Sequence, residues 1–218
     1  MELRLGEQVI VIDPWLENPK FPPGYEFDRV DTILVTHGHF DHITGVQPLA
    51  ARFNPQVISN FEIAMWLQQK GVKNALAMNK GGTVLAGAVK VTMTHAIHSS
   101  TIVDGEQILP AGEAAGFVIE FEPDRRLYFA GDTAVHSDMQ LIRELYAPEI
   151  TVLPIGDLFT MGPKQAALAA KMIGAATIIP VHYGTFPQLP GSPSSLQKLV
   201  EPLGMKVQRL TPGEPWTY

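Results

Sequence analysis

Six consecutive residues, His37-Gly38-His39-Phe40-Asp41-His42, carry three imidazoles and one carboxylate. All four are metal-ligand types, and the chain contains no cysteine, so any metal must be held by nitrogen and oxygen. Histidines packed this closely make little sense as core or as ordinary solvated surface. Zinc suits such a donor set best, and manganese is compatible because a thiolate-free set with carboxylates accepts harder ions. More ligand types follow at His98, at Asp132 within Gly131-Asp132-Thr133, and at His182 after Ile178-Ile179-Pro180-Val181. His95 competes with His98. Val89, Val91, Met93 and His95 share strand parity, so His95 continues one strand face, whereas His98 falls in the loop beyond it. His136, four residues after Asp132, suits contact with substrate or bound water, and equally a capping or surface role.

The elements that would position these groups are short strands. Asp31–Val35, rich in β-branched residues, reads as a buried strand delivering the histidine segment into the loop at its C-terminal end. Leu3–Leu5 and Gln8–Ile12 read as a hairpin running into Asp13-Pro14-Trp15, where Trp15 serves either a pocket or the core. After His42, the spacing of Ile43, Val46, Leu49, Ala50 and Phe53 predicts a helix beginning near Gly45, because Pro48 is tolerable only in a first turn. A strand at Gln56–Ser59, a helix over Phe61–Lys70, and strands at Lys73–Met78, Thr83–Leu85 and Val89–Thr94 follow. The second half alternates. Strands at Gly116–Glu122, Leu127–Ala130, Ile150–Pro154 and Ala175–Val181 are joined by helices at 137–146 and from Pro163 through Ile173. A helix near Ser194–Leu203 and a strand at Met205–Leu210 close the chain. Polar chemistry sits at strand ends in both halves, which implies two packed sheets, helices outside, and one shared site at their edge.

Composition narrows the function. With 45% hydrophobic and 17% charged residues, the chain reads as an ordinary globular protein with a sizeable core. A net charge of -6 and the lack of a Lys/Arg cluster beside aromatics argue against a nucleic-acid partner. No apolar stretch is long enough to span a membrane, and the first residues lack a signal-peptide core, so cytoplasmic residence is expected. No linker divides residues 1–218, which are read as a single domain; a homo-oligomer is compatible with the sequence.

The ordered set His-x-His-x-Asp-His, a later lone His, Gly-Asp-Thr and a strand-end His resembles the metallo-β-lactamase superfamily over nearly the whole chain. Asp13-Pro14-Trp15, His98-Ser99-Ser100, Phe159-Thr160-Met161-Gly162-Pro163 and Val181-His182-Tyr183 look like the small metal-dependent hydrolases near the ascorbate-6-phosphate lactonases. The resemblance implies an α/β (α+β) fold, a four-layer αβ/βα sandwich with two mixed β-sheets face to face. It implies two divalent metal ions per chain: His37, His39 and His98 at one site, Asp41, His42 and His182 at the other, and Asp132 bridging them. The spacing agrees: His37 and His39 point the same way from an extended segment, while Asp41 and His42 begin a turn.

On that resemblance the expected activity is hydrolysis by a binuclear metal-activated hydroxide, since paired ions lower the pKa of a shared water toward about 7. Asp41 would orient the nucleophile or take its proton, with His136 as a second catalytic candidate. Trp15, Ser99, Phe159 and Tyr183 are candidates for holding a small-molecule substrate. A small lactone or carboxylic ester is the leading substrate class. A small or cyclic phosphodiester is the alternative, because the same ligand set serves nucleases such as ribonuclease Z. Outside catalysis, a metal-binding or sensing protein on this scaffold is the competing reading.

Overall fold

A computed structural model describes residues 1–218. The chain begins with a hairpin, β1 (Glu2–Leu5) and β2 (Gln8–Ile12), followed by β3 (Thr32–Leu34), β4 (Gln56–Asn60) and β5 (Ala75–Met78). These form a five-stranded sheet in the order β1-β2-β3-β4-β5, antiparallel at the hairpin and parallel beyond it. A short helical turn α1 (Phe40–Ile43), then α2 (Val46–Phe53) and α3 (Phe61–Gln69), connect its parallel strands. Asn60 starts α3 by accepting a hydrogen bond from the Ile63 N–H at 2.9 Å, satisfying one amide that the first turn leaves free.

The second sheet has seven strands: β6 (Thr83–Ala86), β7 (Val89–His95), β10 (Ala115–Glu122), β11 (Arg125–Phe129), β12 (Ile150–Pro154), β13 (Thr177–Val181) and β14 (Lys206–Val207). Its order is β14-β13-β12-β11-β10-β7-β6, parallel from β11 to β14 and antiparallel from β6 to β11. Helices α4 (Met139–Tyr146), α5 (Pro163–Ile173) and α6 (Pro193–Val200) cover its outer face. A separate hairpin, β8 (Thr101–Asp104) and β9 (Gln107–Pro110), leaves the stretch after His98.

Side-chain alternation sets the layers. Ile10, Ile12, Leu34 and Ile58 face the second sheet and pack with Val91, Met93, Phe117, Ile119, Phe129, Val152 and Ile179. The opposite parity, Val11, Ile33 and Val57, meets Val46 and Leu49 of α2 and Ile63 and Leu67 of α3. On the far side Tyr128, Leu153 and Ile178 pack against Met139, Ala166, Ala170 and Leu196 from the outer helices. The result is helix, sheet, sheet, helix: the four-layer αβ/βα arrangement expected from the sequence.

Most elements lie where the sequence places them, and the differences are local. Thr32–Leu34 is one residue shorter at each end than the predicted strand, and the strand expected from Lys73 begins at Ala75. The closing strand shrinks to Lys206–Val207. Phe40–Ile43 is a helical turn rather than loop, so Asp41 and His42 sit on a helix entered from extended His39. The β8–β9 hairpin has no counterpart among the sequence expectations.

Candidate metal centre

The site lies where strands of both sheets end. Asp13 directly follows β2, and its φ of 48° is left-handed, which turns the chain out of the strand. From β3, Thr36 and His37 lead into α1, which supplies Asp41 and His42. Opposite, β7 runs on to His98, β11 to Asp132 and β13 to His182. Two glycines permit this convergence. Gly131, with φ of 66°, takes a conformation that suits glycine best, and a Cβ there would press on the Ala115 carbonyl and the Thr36 side chain. At Gly156 a Cβ would fall on the carbonyl oxygen of His182. His182 is itself left-handed, with φ of 53°, a strained conformation for a residue with a side chain.

All seven ligand candidates meet. His37, His39 and His98 bring one donor atom each within 4.8 Å of one another, and so do Asp41, His42 and His182. One oxygen joins the sets. Asp132 Oδ2 lies 3.2 Å from His182 Nε2, 3.4 Å from His42 Nε2, 3.7 Å from His98 Nε2 and 3.9 Å from His37 Nε2. Asp41 Oδ2 stands 3.5 Å from His42 Nε2 and 3.6 Å from His182 Nε2. Ligands about 2.0–2.1 Å from a tetrahedral ion are about 3.3 Å from each other, so these spacings are those of coordination-shell edges. His42 Nε2 is buried and hydrogen-bonds nothing, an orphan that a cation would satisfy. The donor set therefore fits divalent cations.

Neighbouring groups fix which ring nitrogen faces inward. Asp13 Oδ2 lies 2.8 Å from His42 Nδ1 and also accepts from Thr36 Oγ1 at 2.6 Å, while Asp13 Oδ1 accepts from the Thr36 amide at 2.8 Å. Thr36 Oγ1 is in turn 3.0 Å from His37 Nδ1. Both imidazoles thus turn Nε2 toward Asp132. His39 is reversed: its Nδ1 lies 3.0 Å from His37 Nε2, and its Nε2 lies 3.3 Å from Ser99 Oγ. Such contacts orient ligand imidazoles and raise their basicity.

The electrostatics follow from burial and proximity. Burial lowers the pKa of His37, and the neighbouring His42 pushes it further down. At His42 burial again opposes the charge, but Asp132 and Asp13 outweigh it and hold the pKa well above 6.5. His182 is raised likewise, burial being overcome by the adjacent Asp41 and Asp132 carboxylates. For Asp41 and Asp132, burial favours the neutral acid, yet the surrounding imidazoles keep both far below the usual carboxylate range. The carboxylates remain anionic and ready to hold cations.

The other candidates are placed as follows. His95 is not in the cluster: its Nδ1 lies 3.0 Å from Lys80 Nζ, which also binds Glu113 at 2.7 Å. The His136 ring packs edge-on against His95 at 5.3 Å, and both its nitrogens are buried without hydrogen-bond partners. Ser99 faces His39. Trp15 meets Phe40 and Phe186. Phe159 is 57% exposed on a turn where Asp157 and Leu158 have φ of 69° and 52°. Tyr183 packs against the helix-covered core. Asp13 and Thr36 are the site residues that sequence reasoning missed; the signal was Asp13-Pro14-Trp15 at a strand end, a strand whose register beside β3 (Ile12 opposite Leu34) brings Asp13 to Thr36.

Comparison with known proteins gives the family and the fold. The family model described as "Beta-lactamase superfamily domain" matches residues 8–183. A UPF0173 metal-dependent hydrolase of Solibacter usitatus is 52% identical, covering 95% of this chain and 91% of its own. One from Rubrobacter xylanophilus is 46% identical, covering 96% and 88%. Among solved structures, Igni18, a metallo hydrolase from the archaeon Ignicoccus hospitalis, superposes with a TM-score of 0.87 at 33% identity, covering 98% and 91%. The isothiocyanate hydrolase from Delia radicum gut bacteria shares the fold, with a TM-score of 0.72 at 20% identity over 100% and 95%. The chain belongs to the β-lactamase superfamily and, within it, to the UPF0173 metal-dependent hydrolases.

Proposed function

We propose that this hydrolase acts through two divalent ions, zinc for preference, on a small lactone or carboxylic ester. The observation that carries the reading is Asp132 Oδ2, placed within 3.2–3.9 Å of four imidazole nitrogens drawn from both ligand sets. His37, His39 and His98 would hold one ion, Asp41, His42 and His182 the other, with Asp132 between them. Once bound, the ions would lower the pKa of a shared water and polarise the scissile carbonyl oxygen.

The chain's own groups do the rest. Asp13, Thr36 and Ser99 fix imidazole orientation, so that ligand geometry is in place before substrate arrives. Asp41, held anionic by the neighbouring imidazoles and 16% exposed at its side chain, is the carboxylate of the cluster best placed to orient an entering water by accepting a hydrogen bond from it. No lysine or arginine hydrogen-bonds or ion-pairs with any of the seven ligands. The ions would be enough to polarise a neutral ester carbonyl, and no arginine or lysine is added of the kind that phosphate groups often draw.

Elemental mass spectrometry on tag-free protein purified without chelator tests the metal count, and turnover of lactones and esters before and after chelation tests the reaction. About two ions per chain with ester turnover lost on chelation is the expected result. Failure to take up metal, or hydrolysis confined to phosphodiesters, would overturn the proposal.

A further inference from the structure

Three aromatic rings meet one another, each on a segment that also carries a site residue. Trp15 comes two residues after Asp13, Phe40 lies between His39 and Asp41, and Phe186 follows His182 by four. The rings touch. Trp15 and Phe40 meet edge to face, with centroids 5.5 Å apart and planes at 87°, and Trp15 and Phe186 lie at 6.2 Å and 38°. Trp15 is half-buried, whereas Phe40 is 55% exposed and Phe186 37%. Single exposed apolar residues are common, but a contiguous patch of large rings usually marks a binding surface.

The patch is also held in place. Pro14 O accepts a 2.9 Å hydrogen bond from the Gly45 amide, and Gly45 packs so closely on Pro14 that a Cβ would not fit. The Trp15 turn is thereby fixed to the junction between α1 and α2. A pre-formed apolar wall next to a few convergent polar groups is how small-molecule sites are built.

We propose that Trp15, Phe40 and Phe186 form a subsite for an alkyl chain of the substrate attached near the scissile bond. The identity of that bond rests on the ester reading above; the subsite itself rests on the rings. It gives the enzyme a preference for longer, more apolar members of a homologous series.

Two measurements on the metal-loaded protein separate these points. The first is kcat/KM for γ-butyrolactone and γ-lactones of lengthening alkyl side chain. Full burial of a methylene corresponds to about fourfold, so a half-open wall is expected to give about twofold per methylene over the first few carbons. The double variant Phe40→Ala, Phe186→Ala should flatten that slope. The second is a tryptophan-fluorescence titration with hexanamide and acetamide, neutral probes for the subsite. Hexanamide is expected to bind at least about tenfold more tightly, with a signal absent from Trp15→Phe. If the double variant loses its metal, Phe186→Ala alone serves for both comparisons. Preference for hexanamide without lactone turnover keeps the subsite and removes the ester reading. Lactone turnover without chain-length dependence, or equal binding of the two amides, overturns the subsite.

Discussion

The Asp13→Asn substitution probes the site through a residue outside the ligand set. Asp13 Oδ2 serves both His42 Nδ1 and Thr36 Oγ1, while Oδ1 accepts from the Thr36 amide. Asparagine has almost the same shape and tolerates the left-handed φ of 48° at least as well, so the backbone is expected to persist. Its hydrogen-bonding pattern, however, cannot match. With Nδ2 toward His42, the imidazole must accept at Nδ1 and carry its proton on Nε2, where a cation belongs. With the amide flipped, two donors confront each other at the Thr36 N–H. Loss of a group that orients a ligand imidazole typically weakens metal binding about 10–100-fold, or about 1.4–2.8 kcal/mol. In excess metal the same loss appears in stability, lowering Tm by about 3–11 °C for a chain of this size. Competition with a chromophoric zinc chelator gives the affinities, and thermal scans with and without zinc give the linkage. Wild-type affinity at both sites would refute the reasoning, as would an equal fall in Tm without metal.

Other perturbations address the remaining parts. His98→Ala is expected to lose one ion per chain and His95→Ala none, checked by elemental mass spectrometry; the reverse would move the ligand assignment to His95. His39→Ala and Asp132→Ala should both lose metal and activity while retaining the folded circular-dichroism spectrum, with Asp132→Ala weakening both ions because its Oδ2 borders both sets. Gly156→Ala places a methyl group on the His182 carbonyl and should cost about 1–3 kcal/mol, with loss of the ion that His182 helps hold, both visible in a zinc-dependent melt. Metal uptake should depend on pH. In the metal-free chain the raised pKa keeps His42 protonated near neutrality, so its pairing with Asp132 and Asp13 stabilises the fold below about pH 6.5 and is lost as pH rises through the raised value. A cation must displace that proton. Affinity should therefore rise with pH, and calorimetry in buffers of different ionisation enthalpy should show release of about one proton or more; heats independent of buffer would contradict this.

Much of the site is legible in sequence because its ligands crowd into short segments at strand ends. His37 through His42 are spaced so tightly that a cation site is the reading they invite, and the apolar run before them marks the strand that delivers them. The fold shows in the same way: alternation in Val89–Met93 and Phe117–Phe121, and the proline and glycine that bracket α5, are local signals. What escapes is whatever depends on pairing between distant strands. Asp13 looks like an ordinary turn residue until β2 lies parallel to β3 and sets it against Thr36. Ser99, read from the sequence as a substrate contact, also faces His39, because the loop after β7 crosses the histidine segment. His136 and His95 are close in sequence to Asp132 and His98, yet pack on each other, a pairing that no spacing reveals.

A chain without cysteine cannot staple its halves with a disulfide, but its metal centre can do so. His37 and Asp41 follow a strand of the first sheet, and Asp132 and His182 follow strands of the second, so bound ions would tie together segments separated by most of the sequence. In the chain-entropy picture, closing a loop of roughly 150 residues removes about 5 kcal/mol of freedom from the unfolded ensemble. The ions would then act as a removable cross-link. Chelation should loosen the seam between the sheets before either sheet melts, with amide exchange quickening first at the ends of β3, β11 and β13. The catalytic centre and the clasp that keeps the two layers in register would be one object, so a cell starved of metal would hold a protein that is both inactive and easier to unfold.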